Sequence, residues 1–93
     1  MINKNIIKIR KDLDKLDDKF IELIKKRTIL VQKILKNKKF KKDIVDNKRI
    51  KIILKNIVKK SKKRKIDPKI TYKIWQSMIR AYIDYEYRNF KKK

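Results

Sequence analysis

The sequence has no cysteine, no histidine and no glycine, and only one proline. Without cysteine there is no disulfide framework and no thiolate metal site. Without histidine the commonest metal ligand and the commonest general base are both missing. Any chemistry must therefore use Arg, Lys, Asp, Glu or Tyr, and no metal is expected. No apolar run approaches the ~20 residues that span a bilayer, so no membrane partner is expected. The opening MINKNIIKIRKD carries charges through what would be the apolar core of a signal peptide. A cytoplasmic location is the expectation.

What the sequence has in excess is positive charge. Its 93 residues are enough for one domain, read as 1–93, and too few for two. The formal charge is +22, and the 32 basic residues divide into 26 lysines and 6 arginines. Isoleucine occurs 18 times and alanine once, which is the bias of an A+T-rich coding sequence. The lysines are spread along every polar face and also form the tail Lys91-Lys92-Lys93. They read as a solvated coat in preference to a dedicated polyanion site, so nucleic acid is not the expected partner. A basic helical dimer that binds nucleic acid is the competing class. Where lysine is the easy choice, each arginine suggests a need for its planar, bidentate fork.

The apolar spacing predicts three helices and no strand. From about Lys4 to Lys38, apolar residues recur at Ile6, Ile9, Leu13, Leu16, Phe20, Leu23, Leu30 and Ile34, alternating three and four apart. That is a heptad seam. A helix of this length spans ~50 Å, whereas a compact monomer of this size has a radius of gyration of only ~12 Å. Two shorter helices cannot cover the whole seam, so a second chain is implied. Residues 37–45 lose the periodicity and read as a loop. Asp46 is a good N-cap for a second helix from about Asn47 to Ser61, with Ile50, Ile53, Leu54, Ile57 and Val58 facing inward. Asp67-Pro68 opens a third helix that runs to about Phe90, its apolar face including Ile74, Trp75, Met78, Ile79, Tyr82, Ile83 and Phe90. The order is one long, one short and one medium helix, an all-α fold.

Several charges fall on apolar faces. Arg27 occupies a seam position between Leu23 and Leu30, where a guanidinium must find an anion or bear a large desolvation cost. An intersubunit ion pair with Asp17 or Glu22 and a bound anionic ligand both satisfy it. Lys38 follows eleven residues on, close to three helical turns, and as a helical residue would project from nearly the same face. Arg10 lies ~25 Å from Arg27 along the axis, too far to reach the same small ligand from the same chain. In an antiparallel pair of long helices the partner's Arg10 would enter the site instead. Arg49 stands in the first turn of the second helix, where a cation opposes the dipole; a bound anion or acid explains it, and a plain surface residue is the alternative. Glu86 continues the stripe Ile79, Tyr82, Glu86, Phe90. A carboxyl on such a stripe favours its protonated, hydrogen-bond-donating form unless a cation such as a lysine or Arg27 is near.

In this order the residues resemble the all-helical chorismate mutases and their relatives, the isochorismate-pyruvate lyases. The likeness runs from IRKDLDKLDDKFIELIKKR through Lys38, then DIVDNKRIKIIL, then IDPKITYKIWQSMIRAYIDYE. Its most specific part is an arginine, then L-D-x-L-D-D, then an arginine ten residues after Asp17. The resemblance implies an intertwined homodimer with two sites, each completed by Arg10 of the partner. It implies that Arg27, Lys38 and Arg49 hold the two carboxylates and the ether oxygen of a small dianion. It further implies that Glu86 hydrogen-bonds that ether oxygen, that Asp46 lies near the ring hydroxyl, and that Tyr82 stands at a carboxylate-binding position. The expected reaction is the cofactor-free rearrangement of chorismate to prephenate. Ile50, where many mutases carry a glutamate, and Tyr82, where some carry a serine, look more like the lyase branch; Glu86 fits the mutases better.

Overall fold

The computed structural model describes residues 3–91; of the lysine tail, Lys92 and Lys93 lie outside them. Its helices are α1 (Lys4–Lys36), α2 (Asn47–Lys63) and α3 (Pro68–Asn89), with one 3₁₀ turn at Lys41–Asp43. No strand occurs among the described residues. The fold is all-α, in the expected order of long, short and medium helices.

Each helix end has a local cause. Asn3 caps α1 by accepting the Ile6 N–H at 2.9 Å. The helix closes with tightened bonds from Asn37 N–H to Ile34 O and Lys38 N–H to Leu35 O. It therefore ends two residues before Lys38, and helical extrapolation from Arg27 does not extend to that side chain. Asp46 caps α2 through the Arg49 N–H at 3.1 Å, and Asp67 caps α3 through the Lys69 N–H at 2.9 Å with Pro68 behind it. The α2 helix runs two residues beyond Ser61 and then stops sharply. Ile66 N–H reaches back to Ser61 O, Lys65 N–H reaches Lys62 O, and Lys65 takes φ 58. This is the left-handed stop that usually carries glycine; in a chain without glycine, a lysine fills it.

The chain divides into two units, Met1–Lys33 and Ile34–Lys93. The first is a single helical stretch. Every apolar residue of its seam is exposed, from 41 % at Ile6 to 62 % at Leu23. Ile34, the seam's last apolar residue, begins the second unit and is equally exposed. Arg27 and Thr28 are half-buried.

In the second unit α2 packs against α3. Ile50, Ile53, Leu54, Ile57 and Val58 are half-buried on one side, and Trp75, Met78, Ile79, Tyr82 and Ile83 on the other; Ile74 is exposed. Between the helices Ser61 is buried, donates to Ile57 O at 2.6 Å and shares a 2.6 Å hydrogen bond with the Thr71 hydroxyl. The exposed side of α2 is rich in positive charge: residues 47–63 include eight lysines or arginines and no acid. Lys51, Lys55, Lys59 and Lys63 stand four apart on one exposed row. Among the described residues no helix is long and apolar enough to cross a membrane.

Candidate active site

Seven side chains were expected to build a site, and five of them lie in the second unit. Lys38 and Glu86 are 48 positions apart in sequence, and the fold brings them together. The Lys38 Nζ donates to Glu86 Oε1 at 2.9 Å, with side chains only 19 % and 8 % exposed. Glu86 thus has the nearby cation that a carboxyl on an apolar stripe requires, and of the alternatives the partner is a lysine. A second Lys38 N–H goes to the backbone carbonyl of Ile44 at 3.2 Å. An ammonium has three donors, so two are committed within the chain and one remains for a ligand.

The Lys38 position follows from the segment after α1. Ile44 is 3 % exposed, the most buried apolar residue described. The intervening 3₁₀ turn is closed by Asp43 N–H to Phe40 O at 3.0 Å and Ile44 N–H to Lys41 O at 3.2 Å. The Asp43 carboxylate accepts the Phe40 N–H at 3.3 Å. Sequence reading treats residues 37–45 as an unstructured loop and misses Ile44, because a backbone acceptor leaves no mark in a side-chain pattern. The available signal is one isoleucine set among charges in KKFKKDIVD.

The other expected residues are placed less closely. Asp46 is exposed and its Oδ1 is engaged as the cap of α2. Arg49 is exposed in the first turn of that helix, followed by half-buried Ile50. Tyr82 is half-buried on α3, one turn before Glu86. In the first unit Arg27 is half-buried and Arg10 is exposed. They are seventeen residues apart on one helix, ~25 Å along its axis, so one chain does not present both to one small ligand.

Among the described residues no group of three potential metal ligands occurs. The cluster that does form is a partly dry lysine–carboxylate pair with a spare donor. Such an arrangement can stabilise negative charge on an oxygen without forming a covalent bond.

Comparison with known families matches residues 9–87 to the family described as chorismate mutase type II. No match was found among curated proteins or among solved structures.

Proposed function

The chain belongs to the chorismate mutase type II family, isomerases that turn chorismate into prephenate, and from that premise we propose how its residues carry the rearrangement. The substrate is a flexible dianion. The site must hold it in its folded, reactive form and stabilise the negative charge that grows on the ether oxygen as the carbon–oxygen bond breaks. Arg27, Arg49 and Arg10 of the second chain bind the carboxylates. Lys38 gives its third N–H to the ether oxygen, and Glu86 faces the same oxygen, donating when it carries a proton. Asp46 lies near the ring hydroxyl and Tyr82 beside a carboxylate. The observation that carries this reading is the Lys38–Glu86 contact, at 2.9 Å and largely shielded from water.

The reading takes residues 1–93 as one domain in a cytoplasmic homodimer. Two features of the chain support the dimer. The seam leaves its apolar residues exposed along α1, and finishing their burial would gain about 1 kcal/mol apiece. The separation of Arg10 from Arg27 also requires a second chain if both serve one site. No cofactor takes part.

The test supplies the purified protein with chorismate and, separately, isochorismate. Prephenate from chorismate is expected. Lys38→Ala should lower turnover about 1,000-fold, the upper range for loss of a charge-stabilising donor, while Lys62→Ala on the exposed coat should change it less than about twofold. Equal, modest losses in both variants would overturn the site. A second reading, isochorismate-pyruvate lyase, is favoured by Ile50, which follows Arg49 where many mutases carry a glutamate, and by Tyr82. Salicylate and pyruvate from isochorismate, without prephenate from chorismate, would establish it.

A further inference from the structure

Lys38 has two partners in the chain, and they differ in kind. Glu86 offers a charged carboxylate on a side chain with rotatable bonds. Ile44 offers a neutral carbonyl on the backbone, and that carbonyl is held from three directions. The Ile44 side chain is 3 % exposed and so fixed by packing. The 3₁₀ turn before it is tied by Ile44 N–H to Lys41 O and by the Asp43 carboxylate on the Phe40 N–H. The turn also meets α3, where the Lys41 ammonium lies 5.9 Å from the centre of the Tyr87 ring. A substrate oxygen arriving at Lys38 must share the ammonium with whatever already holds it. The carboxylate is placed by side-chain torsions; the carbonyl moves only with the backbone.

We propose that the Ile44 carbonyl, fixed by the buried Ile44 side chain and the Asp43-capped turn, aims the Lys38 ammonium, so that Ile44 and Asp43 are positioning residues for the reaction. This rests on the role proposed above for Lys38. Neither residue touches the substrate. The carbonyl holds one N–H and Glu86 a second, which leaves the third pointing in one direction. An ammonium on a flexible four-carbon stem has no such direction by itself. Misplacing a catalytic group by about 1 Å can reduce rate about 100-fold. Because Lys38 serves the developing charge and the arginines serve the carboxylates, loosening its anchor should act on kcat and spare KM.

The experiment measures kcat and KM for Ile44→Ala, Ile44→Val and Asp43→Ala, with thermal melts of each. Ile44→Ala should lower kcat about 30-fold with KM within about twofold, and Ile44→Val should restore most of the loss. Asp43 is exposed, so Asp43→Ala removes the cap without opening the interior and should lower kcat about fivefold. If Ile44→Ala fails to fold, Asp43→Ala decides by the same split. A loss carried by KM, or one that Val does not relieve, would overturn the inference, as would full kcat in Asp43→Ala. Wild-type turnover in Lys38→Ala would instead remove the reading on which it rests, and the inference with it.

Discussion

The two units of the chain use apolar and polar residues in opposite ways. Before Lys33 the apolar residues of the seam are regular, numerous and exposed. After Ile34 they are less regular, and the four buried residues among those described lie there: Leu35, Ile44, Ser61 and Glu86. Two of those four are polar, and each has a partner on another segment, Ser61 with Thr71 and Glu86 with Lys38. An apolar stripe is tolerant of what covers it. A buried hydroxyl or carboxylate is not, because leaving it unsatisfied costs about 1–3 kcal/mol. The second unit is thus specified from within, whereas the α1 seam has no such buried polar pair to specify it.

The sharpest way to break this comparison is Leu23→Asp. At 62 % exposure in the single chain, Leu23 would tolerate the change within about 0.5 kcal/mol if α1 served a monomer. If the seam joins two chains, the substitution occurs twice per dimer and should weaken association at least about 100-fold. Sedimentation at several concentrations reads this directly. Turnover should fall with it, since Arg10 would no longer reach a second site. Unchanged mass and activity would remove the distinction between the units.

Ser61→Ala tests the other side. It leaves the Thr71 hydroxyl without its interhelical partner and should lower stability by about 1 kcal/mol, seen as a lower urea midpoint with the association constant unchanged. The smallest effect is expected at Lys65. Lys65→Gly relieves a side chain held at φ 58 and should raise stability by up to about 1 kcal/mol. A loss on that change would mean that the lysine side chain contributes more than its backbone strain costs.

Much of this was legible in the sequence because its signals are local. Alternating three and four spacing marks α1, and Asp46 and the Asp67-Pro68 pair mark the starts of the other two helices. The ends were harder. The heptad pattern has no feature that stops it at Lys36, and the second helix reads as ending at about Ser61 although Lys62 and Lys63 continue α2. Of the candidate site, Lys38 and Glu86 were visible one at a time, Glu86 as a charge on an apolar stripe and Lys38 by its spacing from Arg27. Their contact spans 48 positions, and an apolar-stripe argument asks only for some cation, leaving Arg27 and a lysine as equal candidates. The anchor at Ile44 was invisible, because its working atom is a carbonyl oxygen that every residue carries.

The lysine row on α2 has a consequence for how this protein responds to its solvent. Lys51, Lys55, Lys59 and Lys63 repel one another one turn apart, each neighbouring pair opposing the helix by about 0.2–0.5 kcal/mol at low ionic strength. Added electrolyte shortens the Debye length from about 10 Å at 0.1 M to about 3 Å at 1 M, below the ~6 Å rise between successive members of the row. Electrolyte therefore firms α2. If the proposed site holds the substrate dianion, the same ions compete with it for that ligand. Helix firmness and affinity for that dianion would then move in opposite directions as ionic strength rises, so the setting that best preserves α2 would not be the one that best captures the substrate.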